Sequence, residues 1–170
     1  MCVIGDRQAL AWVLREQQMA FPAHRARLAA SIHPGDTIFL YTTRGCFNSP
    51  TKDRGRVIGE AKAMSQVAAL ESPVTFGDRS FPIGCSLQIL TAAPARQGVE
   101  LGPLVGRLSA FRETEHWSVY LRTALVPLNQ ADAALLRRHL RNVTGTVGDV
   151  LPGYEKAAQR RDSRRILPLD

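Results

Sequence analysis

Pro34-Gly35-Asp36-Thr37-Ile38-Phe39-Leu40-Tyr41-Thr42-Thr43 is the stretch that decides the fold class. Pro-Gly-Asp is tight-turn chemistry. The run after it is β-branched and aromatic with no charge, which predicts a strand over 37–43. Outward from there, Arg44 to Gly55 reads as a polar loop, and Arg56-Val57-Ile58-Gly59-Glu60-Ala61 as the next strand. Gly59 within it marks a bulge or a close backbone approach. Residues 64–80 show no decisive period. From Phe81 to Thr91, Ile83, Cys85, Leu87 and Ile89 alternate with Gly84, Ser86 and Gln88, the pattern of a half-buried strand.

The flanks read as helical. Cys2–Ile4 is a short apolar strand, and Asp6 is placed to cap a helix running to about Gln18. Leu10, Val13, Leu14 and Gln17 fall at helical spacing, Pro22 ends the segment, and a short basic helix from His24 to Ser31 follows. Pro103 suits the first turn of a helix carrying Leu104, Val105 and Leu108. Trp117 to Arg122 reads as a final strand. Asn129 caps a last helix with Leu135, Leu136, His139 and Leu140 on one face. Strands cluster in the middle and helices towards the ends, which predicts an α+β fold with a mostly antiparallel sheet or small barrel. Residues 143–170 carry Gly145, Gly148, Pro152, Gly153 and the run Arg160-Arg161-Asp162-Ser163-Arg164-Arg165. They read as a basic tail, helical from Tyr154 to Arg161, whose arginines would add nonspecific phosphate affinity.

Composition bounds the function. A chain of 170 residues fits one domain of roughly 100–200 residues. With 45% hydrophobic and 22% charged residues, disorder throughout is excluded. No apolar run approaches the ~20 residues a membrane-spanning helix needs. Met1 to Asp6 has neither a basic region nor an apolar core, so it does not read as a secretory signal, and the expected location is cytoplasmic. The formal charge is +7, and apart from Lys52, Lys62 and Lys156 the basic residues are all Arg. That fits an anionic partner, because guanidinium forks match phosphates and stack on bases. It also fits the codon bias of a GC-rich bacterial genome. Cys2, Cys46 and Cys85 are an odd set with no metal-ligand spacing, and His24, His33, His116 and His139 are scattered, so neither a disulfide framework nor structural zinc is expected.

Signatures of familiar catalysis and of cofactors are missing: no nucleophile elbow, phosphate loop, dinucleotide fingerprint or zinc-protease pair occurs. Two clusters keep an enzymatic reading open. Cys46 follows a strand beside basic residues and could serve as a nucleophile, or be a buried thiol with no role. Glu113-Thr114-Glu115-His116 pairs carboxylates with an imidazole, or is simply an exposed turn. Asn142-Val143-Thr144 matches a glycosylation acceptor that a cytoplasmic chain would not use.

Three stretches in order resemble the EVE domain family of the PUA-like superfamily, which is related to YTH domains. They are Met19-Ala20-Phe21-Pro22 followed by Ile32 to Tyr41; Arg56 to Ala61; and Pro103-Leu104 through Leu108-Ser109-Ala110-Phe111, His116-Trp117 and Leu128 to Leu140. The resemblance covers residues 1–141, leaving 142–170 as a basic C-terminal extension. It implies a small mixed β-barrel with flanking helices and a non-catalytic, cofactor-free module that reads a modified, methylated base of DNA or RNA in a concave pocket. The implied partners are nucleic acid and a restriction- or modification-linked protein. Residue by residue, it places Met19, Phe21, Pro22, Tyr41, His116 and Trp117 at the pocket, Met19 standing where many members carry Trp. The basic residues Arg25, Arg27, Arg44, Arg54 and Arg56 are candidates for phosphate. Trp12 reads mainly as core. Two other readings stay open: a small-molecule-binding regulatory module, and a PUA-like RNA binder indifferent to modification.

Overall fold

The computed structural model describes residues 1–159; the arginine run 160–165 lies outside the described residues. The strands are β1 (Cys2–Ile4), β2 (Gln18–Phe21), β3 (Thr37–Thr42), β4 (Arg56–Ala63), β5 (Ala68–Phe76), β6 (Arg79–Ala92) and β7 (Val99–Glu100). The α-helices are α1 (Arg7–Glu16), α2 (Ala26–Ala29), α3 (Gln130–Leu140) and α4 (Val147–Gln159). The strands form one 7-stranded sheet in the order β1-β3-β4-β6-β2, with β5 added to β6 and β7 to β4. Every pairing is antiparallel except β1 with β3. The class is α+β, as the order of elements predicts.

β3 explains why its sequence is a continuous apolar run. Ile38 and Leu40 enter one core while Phe39 and Tyr41 enter another, so both faces of the strand are buried. The first core lies under α1 and α4 and takes Leu10, Leu14, Met19, Phe21, Ile58 and Tyr154. The second lies under α3 and two 3₁₀ turns and takes Val57, Leu101, Phe111, Leu136 and Leu140. At Gly59 the β4 backbone passes so close to β6 that a Cβ would stand 2.2 Å from the Thr91 carbonyl oxygen. Register shifts flank it in both pairings of β4, so bulge and close approach coincide there.

The sheet is open. Its order begins at β1 and ends at β2, and no ladder joins them among the described residues. β1 is already occupied on its outer side: Val3 donates to the Ala124 carbonyl at 2.9 Å, and Val126 to that of Met1 at 2.8 Å. The seam between that segment and β2 opens into a chamber.

Several local expectations change. Trp117–Arg122 is a 3₁₀ helix, not a strand. Trp117, Tyr120 and Leu121 all pack on the second core at helical spacing, which an alternating strand could not achieve. The helix expected after Pro103 tightens to a 3₁₀ turn, Gly102–Arg107. The basic helix after Pro22 shortens to a 3₁₀ turn at Ala23–Arg25 followed by α2. α1 stops at Glu16 because Gln17 turns left-handed, φ 49°. Gln17 instead ties down β6: its carbonyl accepts from Leu87 N at 2.7 Å, its side-chain oxygen from Ile89 N at 3.0 Å. Residues 64–80, without a decisive period, contain β5, whose ladder with β6 breaks between Ala69 and Val74. Pro73 and Pro82 fall beside that break, where a missing amide costs no ladder bond.

Residues 147–159, within the stretch read as an extension, pack into the first core. Val150 and Tyr154 are buried there, and the Tyr154 hydroxyl donates to the Ala93 carbonyl at 2.7 Å. α4 tolerates Pro152 because this burial outweighs one lost backbone bond.

Candidate functional site

A concave chamber of about 300 Å³ fills the open seam. Met19 and Phe21, 5% and 3% exposed, are its floor. They face inward because β2 pairs with β6 in a register set by the Gln17 turn, so alternate residues of β2 point to the core. α1 supplies Trp12, its start fixed by Asp6, whose Oδ1 accepts from Gln8 N at 2.8 Å and Ala9 N at 2.9 Å. The β5–β6 hairpin, closed by Gly77-Asp78, supplies the remaining wall. Phe76 lies opposite Arg79 and Val74 opposite Phe81, so Phe76, Arg79 and Phe81 share one face. Phe76 meets Trp12 edge-on at 6.0 Å and Phe81 at 5.5 Å, with the Arg79 guanidinium 5.3 Å above the Phe81 ring. Pro22, Arg25 and Arg122 complete the rim.

A second chamber of about 590 Å³ lies beside the first. Tyr41 is its floor. The residue is 2% exposed, and its hydroxyl forms no hydrogen bond among the described residues. Gly55 makes room for it: a Cβ there would stand 1.9 Å from the Tyr41 oxygen. Burial pushes the Tyr41 hydroxyl up to about 12, the nearby Arg44 charge working the other way. At neutral pH it is therefore a protonated donor. Trp117 forms a wall, held edge-on to Phe111 at 6.0 Å. The polar loop 44–55 contributes Arg44, Pro50 and Arg54. That loop is pinned by Arg96, which pairs with Asp53 at 2.7 Å and lies 5.1 Å over the Phe47 ring.

Thr43, Leu121 and Arg122 line both chambers. Across this shared wall Arg25 donates to the Arg122 carbonyl at 3.2 Å. The charge of the two chambers is positive in effect. Asp6 is committed to capping α1 and Glu100 to Arg56 at 2.7 Å, whereas Arg44, Arg54 and Arg122 form no ion pair among the described residues. The arrangement offers apolar floors, aromatic walls and free guanidinium groups. It can hold a flat, partly apolar ligand carrying an anionic group.

The structure thus distributes the residues read from sequence. Met19, Phe21, Pro22 and Arg25 meet in the first chamber; Tyr41, Trp117, Arg44 and Arg54 meet in the second. His116 and Arg27 are exposed and line neither. Arg56 is engaged with Glu100 and with the Gly98 carbonyl at 3.2 Å. Cys46 is 1% exposed, and burial pushes its thiol up to about 12, so at neutral pH it is an unreactive thiol. Glu113, Glu115 and His116 lie in an exposed turn. Among the described residues no cluster of His, Cys, Asp and Glu could hold a metal ion, and no helix is long and apolar enough to cross a membrane.

No protein-family model matches the chain, and no curated protein matches it. Among solved structures it is similar to the NMR structure of Rpa0253 from Rhodopseudomonas palustris, a structural-genomics target. The identity is 11%, over 82% of this chain and 93% of that one, with a TM-score of 0.49.

Sequence reasoning missed Phe76, Arg79, Phe81, Leu121 and Arg122, and read Trp12 chiefly as core. One signal was available: Gly77-Asp78 between Val74-Thr75-Phe76 and Arg79-Ser80-Phe81 marks a two-residue hairpin loop. For Leu121 and Arg122 no local signal exists, because they reach the seam only through the packing of the 3₁₀ turn on the second core.

Proposed function

We propose that the protein is a non-catalytic nucleic-acid-binding module that reads a modified, methylated base of DNA or RNA in the chamber at the seam. The observation that supports this most is the pairing of Met19 and Phe21 as an apolar floor with Trp12, Phe76 and Phe81 as an aromatic wall, ringed by Arg25, Arg79 and Arg122. A base taken from its stack costs a few kcal/mol, and each aromatic contact returns roughly 1–3 kcal/mol. A methyl group fits against the deformable Met19 side chain. β2 is the last strand of the sheet, so one side of its backbone is free to pair the base edge. The arginines neutralise the flanking phosphates. In this reading the open sheet is a PUA-like barrel whose missing closure is the ligand entrance, and the chain is EVE-like.

Fluorescence anisotropy with short DNA and RNA strands tests this. Each strand is compared unmodified and carrying 5-methylcytosine, 5-hydroxymethylcytosine or N6-methyladenine, at two salt concentrations. A preference for one modified base that persists at high salt is the expected result. Equal, salt-labile binding to every strand would reduce the protein to a basic surface, and no binding would overturn the nucleic-acid reading in favour of a small-molecule ligand.

A further inference from the structure

The seam chamber, about 300 Å³, has a neighbour of about 590 Å³, and the wall between them is shared. Thr43, Leu121 and Arg122 belong to both, so an occupant of one chamber lies directly against an occupant of the other. Each has its own indole wall, Trp12 in the first and Trp117 in the second. Each also has its own buried floor, Met19 and Phe21 against Tyr41. The Tyr41 hydroxyl aims into the second chamber with no hydrogen-bond partner among the described residues. A hydroxyl that lines a chamber and makes no bond within the protein is free to donate to a ligand that accepts a hydrogen bond. Arg122 stands where the chambers meet. Its backbone is held by Arg25, while its own guanidinium forms no ion pair among the described residues.

We propose that the site takes a dinucleotide step: two consecutive nucleotides of one strand, a base in each chamber and the connecting phosphodiester on Arg122. This rests on the nucleic-acid reading above and deepens it, because the recognised unit becomes two adjacent bases instead of one. The second chamber selects its base by the Tyr41 donor and the Trp117 face; the first selects by apolar fit. Sequence context is then read on one side of the modified base, and a strand longer than two nucleotides adds only diffuse phosphate attraction.

The test is competition against a fluorescent single-stranded 12-mer by unlabelled nucleoside monophosphates, dinucleotides and trinucleotides. DNA and RNA series are run separately, with and without 5-methylcytosine and N6-methyladenine, so that the arms distinguish the two sugars. The expected result is that the best dinucleotide competes roughly tenfold or more better than either of its mononucleotides. A third nucleotide should change this by less than about threefold. Trp12→Ala and Trp117→Ala should each lower the dinucleotide to the mononucleotide level. Arg122→Ala should weaken the dinucleotide by a clearly larger factor than it weakens either mononucleotide. Trp12→Phe and Trp117→Phe, which keep a ring in place, should retain most of the gain. Three results would overturn the proposal while leaving the nucleic-acid reading intact: mononucleotides equal to dinucleotides, affinity rising steadily with length, or sensitivity to only one of the two indoles. If the 12-mer itself does not bind at low salt, both fall together.

Discussion

The two sides of the sheet are built by different means. Under α1 and α4 the core is closed by regular helices that lay apolar side chains at helical spacing onto β3, β4 and β6. Under α3 the covering segments are short 3₁₀ turns with few internal bonds, and a polar knot holds them. Asp132 is 2% exposed and accepts from Ser109 N at 2.8 Å, Ser109 Oγ at 3.0 Å and Ala110 N at 2.9 Å. Asn129 caps α3 through Asp132 N at 2.8 Å and donates to Ser109 Oγ at 2.7 Å. A buried carboxylate is acceptable there because every contact it makes is with a donor. The difference teaches that irregular chain needs specific polar partners to be fixed, whereas a helix carries its own backbone satisfaction into the core. Each side also opens into one chamber of the seam, so the site joins two differently supported halves.

This contrast can be broken most directly at Asp132. Asp132→Ala leaves the Ser109 and Ala110 amides without their acceptor, and urea denaturation should show a loss of about 3 kcal/mol or more. On the other side the comparable loss needs a purely apolar change: Leu14→Ala is expected to cost roughly 2–5 kcal/mol through the cavity it leaves. A loss at Asp132 no larger than that of an exposed polar residue would remove the distinction.

Alkaline titration sharpens it next, because each side buries an acid. Burial raises Cys46 from 9.0 to about 12 on the α1 side and Tyr41 from 10.0 to about 12 on the α3 side. Both groups are held protonated in the fold and ionise more easily when unfolded. Their contributions are therefore complete below pH 9 and 10 respectively and are lost as pH rises towards 12. Urea midpoints measured from pH 8 upward should hold steady and then fall. Cys46→Ala should make the fall shallower without moving its onset, because Cys2 and Cys85 are raised by burial as well. A midpoint that rises above pH 9 would contradict the burial of both.

The smallest effects lie among polar groups on the helical side. Tyr154→Phe removes only the bond to the Ala93 carbonyl and should cost about 1 kcal/mol. Asp6→Ala removes the cap of α1, also worth about 1 kcal/mol. Thermal unfolding of the two variants should give shifts well below that of Asp132→Ala.

How much was legible follows the same division. The Pro34-Gly35-Asp36 turn, β3, the alternation of β6, the Asp6 cap of α1 and the Asn129 cap of α3 all announce themselves through local chemistry. α4 had a local signal that went unread: Thr146 caps it, its Oγ1 accepting from Asp149 N at 3.3 Å and donating to Asp149 Oδ2 at 2.6 Å. Glycines and Pro152 obscured it. The 3₁₀ turn at Trp117 was misread because its six residues alternate apolar and polar well enough to mimic a strand. Of the site, residues brought in by resemblance reached the chambers from both sides, but their division into two groups was not visible.

The sequence by itself determined the class of the fold, the strand β3, the positive charge and most of the regular elements. These depend on periodicity, turn residues and caps, which act over a few positions. Only the tertiary structure decided that the sheet stays open between β1 and β2, that Trp12 and Trp117 face two adjoining chambers, and that Arg122 stands between them. Those facts depend on which distant segment occupies the outer side of β1 and on how the 3₁₀ turn packs under Phe111. Contacts between residues far apart in the chain leave no period in the sequence from which they could be read.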